Sequence, residues 1–393
     1  MYILRILFFA VITLNCYTTL AQNNEEQITD SIETSVDTNH PKNYQIPSSN
    51  RLATSLDNKV DAEIRHYMMK KGIVGLSIGI LYNGKSVFYG YGETAEGSKE
   101  IPNEHTIYEI GSLSKTFTAT LLAISADSGI VKLDDPVSKY LPDSIPPLQY
   151  EGIPVTLKLL SNHTSGIPYM PSNMHPANKR NPYKDYTVSD LFSFYTHFSL
   201  ERKPGEHYEY SNLAFATIGV ILEKAYQKSY ETLVREKICE PMGMFDTWQF
   251  IRENDSLRFA QGYGRLGKPV SHWDLDGFAG AGALRSTAED LLKYAKLNMG
   301  IGPPDLVDAS NLVQKLTFSK GHYVGMGWLI HKPGSHQIIM MGGLTGGFNC
   351  YLFVNREKQI AVVILSNKWG SHVETPAYGL IEWLGKSPLQ EDN

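Results

Sequence analysis

Three groups of residues in this 393-residue chain have types and spacings that suit acyl chemistry. Ser112 and Lys115 form its only Ser-x-x-Lys, in the stretch Tyr108-Glu109-Ile110-Gly111-Ser112-Leu113-Ser114-Lys115. Residues three apart on a helix share a face, so the amine of Lys115 can reach the hydroxyl of Ser112. A serine hydroxyl is a poor nucleophile at neutral pH and needs a positioned base and a place for the developing oxyanion. Tyr208-Glu209-Tyr210-Ser211-Asn212 holds the only Tyr-x-Asn, which offers a phenol and an amide. Further on, Met341-Gly342-Gly343-Leu344-Thr345-Gly346-Gly347-Phe348 lies at the edge of an apolar run. Each group alone is a weak signal, because common residues at fixed spacing recur by chance.

The elements needed to hold these groups can be read from periodicity. Apolar residues after Ser112, through Leu121, Leu122 and Ile124 to Gly129, predict a helix that opens at Ser112 and stops on glycine. Its free N–H groups would favour negative charge beside the serine. An earlier helix starts near Ser55, with Leu56, Val60, Ile64 and Tyr67 on one face. Leu76–Tyr82 and Ser86–Tyr91 flank Asn83-Gly84, a strong hairpin signal. Thr187-Val188-Ser189-Asp190 and Ser286-Thr287-Ala288-Glu289 read as helix starts, the second as a capping box.

Residues 142–154, 166–182 and 300–304 read as loops. The long loop 170–186 carries Lys179, Arg180 and Lys184. Strand-like runs return at 327–330, 337–341, 349–354 and 360–365, and 377–384 closes the chain as a helix. The expected fold is α+β, an α/β sandwich. One antiparallel sheet is built from both termini (about 72–92 and 322–367), with flanking helices and an inserted, mainly helical region at about 106–315. A cleft is expected at the junction.

Composition narrows the function classes. A net charge of -5 gives no support for nucleic-acid binding, and no His/Cys/Asp cluster has metal-ligand spacing, so neither metal nor cofactor is expected. Met1–Ala21 has one basic residue, Arg5, an apolar run from Ile6 to Leu14, and the ending Thr19-Leu20-Ala21. It reads as a secretory signal, which places the mature protein outside the cytoplasm, secreted or periplasmic. Cys16 lacks a good lipobox, so lipid anchoring is the lesser alternative. Residues 22–50 are polar, with five acids (Glu25, Glu26, Asp30, Glu33, Asp37) against Lys42, and read as a flexible leader; 386–393 is a tail. No later run is long enough to span a bilayer. Cys239 and Cys350 could pair, although Cys350 in an apolar run is better explained as a small core residue.

In order, Ser-x-x-Lys, Tyr-x-Asn and a glycine-rich strand motif resemble the class C β-lactamase and D-alanyl-D-alanine carboxypeptidase family of penicillin-binding-protein-like serine hydrolases. The resemblance runs from about residue 56 to 385. It includes Leu133-Asp134-Asp135-Pro136-Val137, Leu159-Leu160-Ser161-Asn162-His163-Thr164-Ser165-Gly166, Pro241-Met242-Gly243-Met244 and Ser286-Thr287-Ala288-Glu289-Asp290-Leu291. It implies a β-lactamase/transpeptidase-like fold and a Ser112 acyl-enzyme. Lys115 and Tyr210 would move the proton, and Asn212 would orient Lys115 and meet the substrate amide. The backbone N–H groups of Ser112 and Leu344, the latter beside Gly343, would form the oxyanion hole. His163 is given no chemical role.

The chain departs from the pattern at Met341-Gly342-Gly343, where the family usually has Lys-Thr-Gly. A charge-assisted hydrogen bond contributes about 1.5–3 kcal/mol, so carboxylate recognition should weaken roughly ten- to a hundredfold. The expectation is an exported hydrolase of a small-molecule or peptide ester or amide: a D-amino-acid peptidase, esterase or weak β-lactamase type. The alternative is a penicillin-binding sensor or envelope protein that is acylated without efficient turnover. Oligomeric state is open.

Overall fold

The computed structural model describes residues 46–331 and 337–386. The expected signal segment and most of the leader lie outside these residues. Helix α1 (Ser55–Lys71) opens on a Thr54–Asp57 capping box and buries Val60, Ile64 and Met68. Strands β1 (Gly75–Tyr82) and β2 (Lys85–Gly92) form the expected hairpin. At its turn Asn83 and Gly84 both take positive φ (51° and 72°), as a tight primed turn requires. One expectation shifts here. The leader does not run free to residue 50, because Gly92 N–H donates to Pro47 O and Ser49 N–H to Gly90 O, covering the edge of β2.

The helical region follows, bracketed by β3 (Tyr108–Glu109) and β4 (Arg285–Ser286), which pair antiparallel. Between them run α2 (Ser114–Asp127), α3 (Val188–His197) and α4 (Asn212–Tyr226). After β4 come α5 (Ala288–Asn298) and α6 (Pro304–Val313). The capping box falls on the other of the two helix starts: Thr187 and Asp190 complete it, whereas at α5 the cap is Thr287. There Asp290 accepts from Asp246 N–H and Thr247 Oγ1 instead of reaching back.

The chain then returns as β5 (Leu329–His331), β6 (Ile338–Leu344), β7 (Asn349–Asn355) and β8 (Ile360–Ser366), and ends on α7 (Glu374–Lys386). The six strands lie in the order β2-β1-β8-β7-β6-β5, all neighbours antiparallel, so both ends of the chain build one sheet. Every residue of β7 and β8 is buried, which is why these strands lack polar alternation. Gly79, Val363 and Leu352 share a row facing α5, where Leu292 packs on Gly79. Phe353 points the other way, to Tyr378 of α7. Helices therefore cover both faces. Cys239 and Cys350 are free and buried, so they do not pair.

Candidate active site

The Ser112 turn meets the end of β6 through two glycines. Gly111 has φ +46°, and a Cβ there would stand 2.9 Å from both the backbone N and O of Leu344. On the strand side, a Cβ on Gly343 would stand 1.8 Å from Ile110 O. No other residue type permits so close an approach of two backbones. It sets Leu344 beside the turn that carries Ser112. The helix expected to open at Ser112 is displaced by two residues: Gly111–Leu113 is a 3₁₀ turn and the α-helix begins at Ser114. The tighter turn leaves Ser112 half-buried while Lys115 is fully buried.

Lys115 Nζ lies 2.9 Å from Ser112 Oγ, 2.7 Å from Asn212 Oδ1 and 2.7 Å from Ala281 O. The last two are pure acceptors, and each takes an amine proton. The third amine position faces the serine oxygen, where a proton can be donated or received. Asn212 is placed by the start of α4, where Ser211 caps the helix by accepting from Ala214 N–H. Asn212 Oδ1 takes the lysine proton, so its Nδ2 faces the sulfur of Met170 at 3.8 Å.

The ring of Tyr210 lies 4.9 Å from Lys115 Nζ, and Tyr210 itself is half-buried. Behind it stands His163, ring to ring at 4.4 Å, in a left-handed conformation (φ 62°). Its Nδ1 accepts the Ser211 N–H. Burial first, and the Lys115 charge second, hold this imidazole well below its ordinary pKa, so it is neutral. His163 thus fixes the Tyr210–Asn212 segment.

The strand wall is different. Met341 is buried in the helical-side core, and Gly342 and Gly343 present no polar side chain. Lys179, Arg180 and Lys184 are exposed on loop 170–186. That loop leans on 272–274: Asn181 and Asp274 exchange two 2.9 Å bonds, and Trp273 Nε1 donates to Arg180 O. Trp273 in turn sits against Gly346 in the turn after Leu344.

Sequence reasoning missed two features. Ala281 O, the third neighbour of the amine, is a backbone atom and leaves no side-chain signal. The other is the buried cross-strand pair Glu109–Arg285, 3.6 Å apart. Glu109 Oε1 accepts from Trp273 N–H at 2.6 Å, and Arg285 donates to Trp273 O. Burial pushes the Glu109 carboxyl up, opposed by the Arg285 charge. Its signal was a lone acid inside the apolar run Ile107–Ile110.

Sheet, helical insert and the clustered serine, lysine, tyrosine and asparagine define a serine hydrolase of the β-lactamase and D-alanyl-D-alanine carboxypeptidase type. The family profile described as Beta-lactamase matches residues 60–381, and the chain belongs to that family. It is similar to a β-lactamase of Pseudomonas fluorescens, 28% identical over 355 residues, covering 80% of this chain and 94% of the relative. It is also similar to the D-alanyl-D-alanine-carboxypeptidase/endopeptidase AmpH of Escherichia coli strain K12, 28% identical over 322 residues, covering 78% and 82%. Among solved structures, a β-lactamase/D-alanine carboxypeptidase from Yersinia pestis superposes with a TM-score of 0.75 at 26% identity, covering 84% of this chain and 99% of that one. The D-alanine carboxypeptidase AmpC from Burkholderia cenocepacia gives 0.72 at 26% identity, covering 84% and 99%.

Proposed function

We propose that the protein is an exported hydrolase that cleaves an ester or amide through an acyl group on Ser112 Oγ. The observation that carries this reading is the placement of Lys115 Nζ between Ser112 Oγ and two fixed acceptors. In the forward step, the serine proton passes to the Lys115–Tyr210 pair as Oγ bonds to the carbonyl carbon. The carbonyl oxygen gains charge beside the backbone N–H groups of Ser112 and Leu344. The pair then returns the proton to the departing alkoxide or amine, and Asn212 Nδ2 meets the acyl amide. Water enters by the same route in reverse and frees the acid.

Met341, Gly342 and Gly343 offer a substrate carboxylate neither ammonium nor hydroxyl. Esters and amides without a carboxylate at that position therefore suit the site better than penicillins. The β-lactamase and carboxypeptidase relatives support the reaction type, and the sequence of residues 1–21 supports export. Steady-state turnover of p-nitrophenyl acetate and of nitrocefin tests this. Ester turnover lost in Ser112→Ala, with nitrocefin at least about tenfold poorer than for an efficient β-lactamase, is expected. Nitrocefin turnover matching such an enzyme would refute the substrate assignment. Stoichiometric acylation by penicillin without ester turnover would favour a sensor.

A further inference from the structure

Tyr208, two residues before Tyr210, helps line a cleft of about 550 Å³ together with Glu206, His207, Phe318, Lys320 and His322. Its size falls within the roughly 300–1,000 Å³ of small-molecule sites. Tyr208 and His322 stack at 4.3 Å with their planes 20° apart, and Phe318 is buried at the floor. The 318–324 turn is pinned by Val324 N–H to Phe318 O at 3.1 Å and by Phe318 N–H to Val324 O at 3.3 Å, so the far wall is preformed.

The cleft connects to the reactive groups by ring contacts. Tyr208 meets the edge of His163 at 5.7 Å, His163 lies on Tyr210 at 4.4 Å, and Tyr210 faces Lys115 Nζ at 4.9 Å. The segment that forms the far wall also backs the lysine: Gly327 N–H donates to Ser161 O, and a Cβ on Gly327 would stand 2.8 Å from Lys115 O.

The cleft carries one acid and one lysine, and their partners differ. Glu206 pairs with Lys203 at 3.6 Å. Burial holds the His322 imidazole below its ordinary pKa, so near neutral pH it stacks without charge. Among the described residues Lys320 makes no hydrogen bond or ion pair, and it lines the same cleft as the Tyr208–His322 stack.

We propose that this cleft is a leaving-group subsite for a flat ring bearing a carboxylate, with the ring against Tyr208, His322 and Phe318 and the carboxylate on Lys320. The inference rests on the hydrolase reading, in which Tyr210 helps return the proton to the leaving group; its ring is linked to Tyr208 of the cleft through His163. It moves anion recognition from the strand wall, where Met341 stands, to the helical side.

Ligand-observed NMR titration of the full-length protein with benzoate and with benzamide tests it without turnover. Benzoate should bind about fivefold more tightly than benzamide, as one exposed ion pair allows. Lys320→Ser should make the two equal, and His322→Ala should weaken both. Equal affinities in the wild type, a preference that survives Lys320→Ser, or binding of neither probe would overturn the subsite. Labelling of Ser112 by a fluorophosphonate, run on the same samples, reports separately on the hydrolase reading.

Discussion

The two walls that meet at Ser112 are built on opposite plans. The helical wall spends its side chains on one another: Lys115 touches Ser112, Asn212 and Ala281 O, and His163 clamps Ser211. The strand wall offers backbone only, since Met341 is turned into the core and Gly343 lies directly on Ile110. On the proposed reading, the groups that move protons sit on the first wall, while the second can do little more than hold an oxyanion. On that reading acyl transfer and carboxylate recognition are separable, and the proposed site keeps the first without the side chains that serve the second.

If the helical wall carries the chemistry, its amine should matter most. Lys115→Ala should lower ester kcat/KM by about 10⁴-fold with far smaller change in KM. A loss under tenfold would move proton transfer elsewhere. Next comes the pair that closes the ends of the helical region. Glu109→Gln leaves Arg285 as a buried unpaired charge and should cost about 3 kcal/mol in urea unfolding. Arg285 is only 2% exposed, so an unchanged midpoint would mean that water already screens the pair.

The strand wall should be sensitive to bulk, not to charge. Gly343→Ala would push β6 off the Ser112 turn, at about 2 kcal/mol of stability together with reduced turnover. Thermal unfolding and ester kinetics on one sample would show whether the two losses travel together.

A smaller effect concerns pH. His163 is held neutral in the folded protein, whereas in the unfolded chain it takes a proton near its ordinary value of about 6.5. The unfolded state therefore binds more protons as pH falls below about 6.5, and stability declines by up to about 1.4 kcal/mol per pH unit. Asn tolerates the left-handed backbone and can accept the Ser211 N–H, so His163→Asn should flatten that decline between pH 7 and 5.5. Parallel declines in the two proteins would exclude His163 as the source.

The helical wall was legible in the sequence because its chemistry lies in side chains at short spacings, Ser112 to Lys115 and Tyr210 to Asn212. The hairpin at Asn83-Gly84 was legible for a similar reason: positive φ leaves a residue signature. What escaped was made by tertiary contact. Ala281 O reaches the amine only because α2 and α4 bring a remote backbone carbonyl between them. Glu109 and Arg285 pair only because β3 and β4 close the ends of the helical region. The capping box expected at Ser286–Glu289 did not form: the cap is Thr287, and Asp290, which could have completed a box there, is claimed by Asp246 and Thr247, a competition invisible in a four-residue window.

The most direct measurement is peptide mass spectrometry after brief exposure to a fluorophosphonate, in wild type and in Lys115→Ala. The account predicts one adduct, on Ser112, formed rapidly in the wild type and far more slowly without the amine. An adduct on another residue, or equal rates in the two proteins, would contradict it.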